Sequence, residues 1–265
     1  MTEVLPPRSL LAEAAETLRR GRVPEPRREA LRIWRELDGE ATSTFLAAVE
    51  RRAGGEPLAY VTGQAGFRHL TLRVDRRVLI PRPETEQLVE LALAVAPAGR
   101  VADVGTGSGC LALSLATEGA YAEVIALDRS LGALAVAGIN RSEIGAPGVR
   151  LVRGDLTSPL AGPSLDLLVS NPPYLTDAEW ETLDPSVSAW EPRDALVGGT
   201  DGMREMDRLL TDGFRVLRPG GWLVVELDSR RAGAVAARAG ALGWQGVRTI
   251  NDLFGRERFL LARRS

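Results

Sequence analysis

Val169-Ser170-Asn171-Pro172-Pro173-Tyr174 organises the interpretation of the whole sequence, because a buried strand ends there. The apolar run at 165–169 predicts that strand. Consecutive prolines donate no hydrogen bonds to a sheet ladder, so the strand stops before them. The strand end therefore carries an amide side chain, fixed backbone carbonyls and an aromatic ring. In open α/β sheets, ligands bind outside the carboxyl ends of the strands, which predicts a binding site at 171–174.

After residue 100 the sequence alternates between short apolar runs and helical patterns. We predict strands at 101–104, 123–127, 149–152, 165–169 and 222–227, and helices at 110–118, 130–140, 202–217 and 231–242. Such alternation predicts an α/β fold with a doubly wound, mostly parallel sheet. Two last β-like segments, 244–250 and 257–262, predict an antiparallel hairpin that closes the sheet.

The N-terminal part of the chain predicts a small helical bundle within residues 1–63. Helical periodicity covers 9–20, 26–37 and 42–53, and Ser9 is the predicted N-cap of the first helix. A bundle of this size can hardly fold firmly alone. It is either a stabilising cap or a docking surface for a macromolecular substrate, and the pattern favours neither.

A linker separates the bundle from the larger domain. Residues 64–83 predict a β-hairpin, with one strand at 70–74, a turn at 75–77 and a second strand at 78–80. The larger domain then covers 84–265 and opens with a helix.

Composition excludes several classes of protein. The chain has 265 residues, 45% hydrophobic and 26% charged, which fits a globular protein, and it has no apolar run of roughly 18 residues that could span a membrane. The N-terminus lacks the apolar core of a secretory signal, so we expect a cytoplasmic protein. One Cys and one His make a disulfide framework impossible and predict no metal site. The formal net charge of −2 predicts no stable binding to nucleic acid.

The tetrapeptide Asn171-Pro172-Pro173-Tyr174 resembles the motif with which S-adenosyl-L-methionine (AdoMet)-dependent methyltransferases hold a planar amino or amide nitrogen. The Asn171 side-chain oxygen and the Pro172 carbonyl can each accept one N–H of such a group, which orients its nitrogen and favours the charge that develops during methyl transfer. Tyr174 would stack on the planar group. The alternatives are a turn-forming asparagine and a core aromatic.

A glycine-rich turn follows the first strand of the sheet. Its spacing is Gly-x-Gly-x-Gly, which differs from the pattern that seats a pyrophosphate, whereas the amino-acid part of AdoMet can pass over such a loop. Asp103 could receive the AdoMet ammonium group. The predicted cofactor-binding loop consists of Gly105, Thr106, Gly107, Ser108 and Gly109.

Two further strand ends carry carboxylates. Asp128 lies about 20 residues beyond the loop, where a carboxylate accepts hydrogen bonds from ribose hydroxyls. Asp155 could accept from the adenine amino group, with Leu156 covering the ring. The alternatives are a helix-capping acid at 128 and a solvated turn at 155.

The chain resembles one family in particular, the release factor glutamine methyltransferases of the HemK/PrmC type. The matching segments are Pro57 to Gly63, Leu79 to Glu86, Asp103 to Cys110, Asn171 to Tyr174, Glu191 to Leu196, Gly198 to Gly202 and Asp252 to Arg258. The resemblance implies a class I methyltransferase that uses AdoMet to methylate N5 of the glutamine in the Gly-Gly-Gln tip of class I peptide chain release factors. It implies that the N-terminal helices help to engage the factor. It also implies that Asn171 contacts the cofactor and that Asn171, Pro172, Pro173 and Tyr174 bind the glutamine.

The sequence departs from the family pattern at Asp228, where a glycine is usual, and at Leu156, where an aromatic residue is common. The alternative functions are an adenine-N6 DNA methyltransferase, a catalytically silent AdoMet-binding module and a nicotinamide-dependent dehydrogenase. The net charge and the small bundle disfavour the DNA methyltransferase. Intact Asn171 and Tyr174 disfavour the silent module, and the glycine spacing disfavours the dehydrogenase. We expect a monomer.

Overall fold

The computed structural model describes residues 5–38 and 41–265, and its N-terminal part is a helical bundle with its own apolar core. The helices are α1 (Arg8–Arg20), α2 (Pro26–Glu36), α3 (Thr42–Ala53) and α4 (Leu58–Thr62). The first three confirm the predicted helices, and α4 had no predicted counterpart. Leu18, Ile33 and Phe45 are fully buried at the centre of the bundle. Residues 1–4 and 39–40 of the predicted unit lie outside the described residues.

The predicted N-cap at Ser9 is wrong. Helix α1 begins at Arg8, so Ser9 lies inside the first turn. Pro7 occupies the N-cap position with φ at −52°, and its ring fixes the backbone in an orientation from which the helix can start one residue earlier than predicted.

The hairpin after the bundle lies earlier in the chain than predicted, with its turn at 68–69 and not at 75–77. Its strands, β1 (Gln64–Phe67) and β2 (Leu70–Arg73), pair antiparallel. The predicted strand at 78–80 is wrong, because side chains bind the backbone there in place of a neighbouring strand. The Tyr60 hydroxyl donates to the Val78 carbonyl at 2.5 Å, and the Ile80 N–H donates to the Glu191 carboxylate at 3.1 Å.

The larger part of the chain is built on a seven-stranded sheet. Its elements are α5 (Glu86–Val95), β3 (Ala98–Val104), α6 (Cys110–Glu118), β4 (Ala120–Asp128), α7 (Leu131–Ile144), β5 (Val149–Arg153), β6 (Leu165–Ser170), α8 (Asp177–Trp180), α9 (Pro185–Ser188), α10 (Arg204–Val216), β7 (Leu217–Glu226), α11 (Ala232–Ala241), β8 (Gln245–Asn251) and β9 (Glu257–Arg263). The strand order is β5-β4-β3-β6-β7-β9-β8, and β9 runs in the direction opposite to the other six strands. The doubly wound α/β sheet with a closing hairpin is confirmed.

Helices cover both faces of this sheet, which explains why its central strands are continuous apolar runs. All six residues of β6 are buried, as are the last four of β3. Because β3, β4, β5 and β6 are parallel, their carboxyl ends meet at one edge. In the described part of the chain, no helix has both the length and the apolar character needed to cross a membrane.

Candidate active site

A cavity of about 600 Å³ opens at the carboxyl ends of β3 to β6. It brings together residues that the sequence predicted at four separate strand ends, namely Gly105, Gly107, Asp128, Asp155, Leu156, Asn171 and Pro173. The other walls come from residues 77–79, from residues 192–195 and from the starts of α7 and α10. Sequence reasoning missed these walls, because their only signal was the set of motifs shared with the resembled family. The volume falls in the range of small-molecule sites.

Asp103 holds the glycine loop from beneath. One carboxylate oxygen, Oδ2, accepts hydrogen bonds from the Thr106 hydroxyl at 2.6 Å and from the Ala112 N–H at 3.1 Å. Burial raises the pKa of Asp103 to about 7, and the two hydrogen bonds oppose that rise. The other oxygen, Oδ1, is buried and has no partner among the described residues. Thr106 and Ser108 are also buried, so they support the loop and do not line the cavity.

Asp128 joins the end of β4 to the same loop. Its Oδ2 accepts from the Gly107 N–H at 3.0 Å, and its Oδ1 accepts from the Ser130 N–H at 2.8 Å. Burial raises the pKa of this carboxyl, while the backbone N–H groups oppose the shift. Asp128 therefore has the predicted position on the cavity wall, and it also orients the loop.

Asp155 and Leu156 form the corner after β5. Asp155 is exposed and pairs with Arg208 on α10 at 2.8 Å, which lowers the pKa of the carboxyl. Leu156 is half-buried and has a φ of +50°, in the left-handed region that L-residues rarely adopt. The corner lines the cavity as expected, but the carboxylate of Asp155 already has a cationic partner.

The Asn171 side chain lies at the cavity edge with its amide oriented by a neighbour. Its Nδ2 donates to the Thr85 hydroxyl at 3.1 Å. Neither Asn171 Oδ1 nor the Pro172 carbonyl accepts a hydrogen bond from any residue within 5–38 or 41–265. Two adjacent acceptors therefore remain free at the end of β6.

A loop formed by residues 196–202 supports the backbone of this tetrapeptide from behind. The Leu175 N–H donates to the Leu196 carbonyl at 2.9 Å, and the Gly198 N–H returns a bond to the Leu175 carbonyl at 2.8 Å. A Cβ at Gly198 would come within 2.4 Å of the Pro173 carbonyl oxygen, so only glycine permits this approach.

Tyr174 is separated from the first cavity. It lines a second cavity of about 380 Å³ together with Leu175, Asp228, Ser229, Arg230, Arg256 and Arg258. Burial raises the pKa of Tyr174 to about 12, so its hydroxyl stays protonated at neutral pH. The tetrapeptide thus lies between two cavities, with Asn171 and Pro173 at the first and Tyr174 at the second.

Two contacts near the site could not be predicted from the sequence, apart from the fact that their residues lie in or near segments shared with the family. Arg82 pairs with the buried Glu191 at 2.6 Å, which ties residues 81–86 to the cavity wall at 192–195. Thr85 donates to Glu226 at 2.7 Å, and both side chains are buried.

Asp228, where the family usually has glycine, does not line the first cavity. Its carboxylate accepts from Arg230 and Arg231, and it caps the single helical turn at 229–231. The departure from the family pattern therefore leaves the first cavity unchanged.

Comparison with known proteins identifies the family. The chain matches the model of the methyltransferase small domain over residues 84–184 and that of the PrmC N-terminal domain over residues 31–63. Release factor glutamine methyltransferases from Deinococcus radiodurans and Moorella thermoacetica are 41% and 40% identical to it, each over 97% of this chain and 98% of the relative. The chain belongs to the release factor glutamine methyltransferase family.

Solved structures agree with this family in fold. A methyltransferase from Pyrococcus furiosus superposes with a TM-score of 0.56 at 21% identity, covering 73% of this chain and 88% of that one. The hMettl16 catalytic domain superposes with a TM-score of 0.61 at 16% identity, covering 82% and 81%. At identities this low the similarity shows the fold alone. The chain therefore has the fold of these methyltransferases.

Proposed function

We propose that this chain transfers a methyl group from AdoMet to N5 of the glutamine in the Gly-Gly-Gln motif of class I peptide chain release factors. The observation that carries the proposal is the pair of free acceptors, Asn171 Oδ1 and the Pro172 carbonyl, beside a cavity formed by four strand ends. The identity of about 40% to release factor glutamine methyltransferases over nearly the whole chain supports the choice of acceptor.

The first cavity fits AdoMet. At Gly105 and Gly107, which both have positive φ, an added Cβ would meet nothing within 4 Å, so the loop offers open backbone to a ligand. Asp128 would accept from the ribose hydroxyls, the Asp155–Leu156 corner would contact the adenine, and Asn171 would touch the cofactor at the open end. Asp103 would receive the ammonium group through its unpartnered Oδ1, although this side chain is buried beneath the loop and does not line the cavity. When bound, AdoMet supplies a methyl group activated by its sulfonium.

The protein's part in the chemistry is to orient a poor nucleophile. An amide nitrogen is weakly nucleophilic because its lone pair is delocalised. The Asn171 oxygen and the Pro172 carbonyl would each accept one N–H of the glutamine amide, which fixes the direction of the nitrogen. Both dipoles also stabilise the positive charge that develops on that nitrogen in the transition state. The proton can leave after methyl transfer, so the mechanism needs no histidine base, and His69 lies exposed on the hairpin turn.

The glutamine would enter from the side of the second cavity, where Tyr174 stacks on its planar amide and Pro173 forms part of the wall between the two ligands. We propose that the bundle within residues 1–63 contributes to docking of the release factor, which the match to the PrmC N-terminal domain supports. The proposal includes a monomeric, cytoplasmic enzyme without stable binding to nucleic acid, in line with its net charge of −2.

The test is methyl transfer from labelled AdoMet to a purified class I release factor. A factor whose Gly-Gly-Gln is changed to Gly-Gly-Ala and a DNA duplex serve as parallel acceptors. Label that appears on the factor and vanishes with the glutamine supports the proposal. Label on DNA alone would replace it with the adenine methyltransferase alternative, and AdoMet binding without transfer to any acceptor would indicate a silent module.

A further inference from the structure

We infer that Thr85 and Glu226 are positioning residues that set which end of the Asn171 amide faces the substrate; this inference rests on the proposed function. Ser170 pairs with Val225 in the sheet, so Asn171 and Glu226 follow neighbouring positions on β6 and β7. Thr85 ends a single helical turn at 83–85 and bridges the two. Its hydroxyl donates to Glu226 Oε2 at 2.7 Å and accepts from Asn171 Nδ2 at 3.1 Å.

The direction of these bonds follows from a count of hydrogens. A threonine hydroxyl carries one hydrogen and two lone pairs. A carboxylate accepts only, so the Thr85 hydrogen must point to Glu226. The Thr85 oxygen can then only accept, so the amide end that meets it must be Nδ2. Asn171 Oδ1 is thereby turned away from Thr85 and left free for an N–H of the acceptor glutamine.

The arrangement depends on the charge of Glu226. If Glu226 is protonated, it can donate to Thr85, and the Thr85 hydrogen can then point to Asn171. The amide would turn to present its oxygen to Thr85, and its NH₂ group would face the NH₂ group of the substrate. Two sets of donors cannot bond, so this state is unproductive.

Several charged groups act on the Glu226 carboxyl. Burial raises the pKa of Glu226 to about 7. The hydrogen bond from Thr85 and the positive charges of Arg258 and Arg82 oppose this rise. The titratable or charged side chains that interact with it are Arg258 on β9, Arg82 and Glu84 before α5, Tyr174 after β6 and Cys110 on α6. Methyl transfer should therefore weaken as the pH falls through about 7.

The first experiment compares Thr85→Val with Thr85→Ser. Valine matches threonine in shape and lacks the hydroxyl, while serine keeps it. We expect kcat to fall by about tenfold to a hundredfold in Thr85→Val, with little change in the Kd of AdoMet, and to stay close to wild type in Thr85→Ser. Thr117→Val is the matched control, because its hydroxyl bonds only to carbonyls of its own helix, α6. Wild-type kcat in Thr85→Val, or an equal loss in Thr85→Ser, would overturn the inference.

The second experiment uses Glu226→Gln, which imitates the protonated acid. We expect the ratio of wild-type to variant kcat to be about tenfold at about pH 8 and to approach one at about pH 6. Taking the ratio cancels the titration of other groups in the site, Asp103 among them. A ratio that does not change with pH would contradict the role assigned to the carboxylate.

A third readout is independent of turnover. The side-chain amide protons of Asn171, assigned by their disappearance in Asn171→Ala, should be protected from solvent exchange in the wild type and in Thr85→Ser. That protection should be lost in Thr85→Val. If the wild-type protein methylates no release factor, the proposed function fails, while retained protection in Thr85→Val would refute the positioning contact itself.

Discussion

Gly202 holds Tyr174 in place by its lack of a side chain, and replacing it by alanine should reduce turnover without affecting the cofactor. Its φ is +72°, where an L-residue costs about 1–2 kcal/mol more than glycine. A Cβ built at Gly202 would lie 2.2 Å from the Tyr174 carbonyl oxygen and 2.8 Å from the Arg231 Nε.

The size of the effect follows from these distances. Ordinary contact begins at 3.4 Å, so the Tyr174 backbone or the loop must move by about 1.2 Å. The loop cannot move back freely, because the Arg231 side chain donates to the Asp201 carbonyl at 2.8 Å and Gly198 is bonded to Leu175. A displacement of about 1 Å at a reacting group can cost about a hundredfold in rate. We therefore expect kcat to fall by one to two orders of magnitude in Gly202→Ala.

The assay measures kcat for a release factor, the Kd of AdoMet by calorimetry, and the folded fraction by circular dichroism. The Kd should stay near the wild-type value, because Gly202 and Tyr174 do not line the first cavity. Gly233→Ala, in the first turn of α11, is the matched control: its Cβ would meet nothing within 4 Å, and its φ is not positive. A folded Gly202→Ala protein with wild-type kcat would refute the claim that this loop sets the position of Tyr174.

Three further variants test other parts of the site. Asn171→Ala should lower turnover by about 10²-fold or more while AdoMet still binds, and intact turnover would refute the role of the amide oxygen. Asp128→Ala should weaken AdoMet binding first, because it removes the ribose acceptor and releases the Gly107 N–H; an unchanged Kd would contradict this. In the wild type the Glu226 carboxyl keeps its proton to about pH 7, whereas the unfolded chain releases it near the ordinary value of 4.5, so this group lowers the free energy of unfolding as the pH rises between these values. Chemical denaturation at several pH values should show this contribution, on the order of 3 kcal/mol in total, as a difference in slope between wild type and Glu226→Gln, because Asp103 contributes equally to both proteins.

Local sequence patterns were sufficient to predict most strands of the sheet and the residues at the strand ends that line the first cavity. The strand before Asn171 is apolar at four of six positions because both faces of β6 are covered, and the prolines end the strand in any tertiary context. The glycine spacing after β3 similarly indicates a backbone with positive φ angles, which residues with a side chain rarely adopt. The positive φ angles of Gly105, Gly107 and Gly109 agree with it.

Local patterns failed where a distant side chain replaced a backbone partner. The apolar residues at 78–80 have the composition of a strand, but Tyr60 and Glu191 take their hydrogen bonds. Ser9 has the chemistry of an N-cap, but Pro7 starts the helix earlier. Asp155 was expected to accept a hydrogen bond from the adenine amino group. No local pattern predicted its pairing with Arg208, which lies 53 positions later in the chain.

The sequence by itself determined where most strands lie along the chain, about where they end and which residue types stand at those ends, because these features depend on periodicity, proline and glycine. Only the tertiary structure decided how the ends are oriented. Thr85 meets Asn171 across 86 positions and Glu226 across 141, so the orientation of the amide depends on contacts that arise when the sheet is assembled. The same assembly places Tyr174 at a second cavity, apart from the asparagine three positions before it. Periodicity is a property of neighbouring residues, whereas hydrogen-bond direction is a property of the partners that folding brings together.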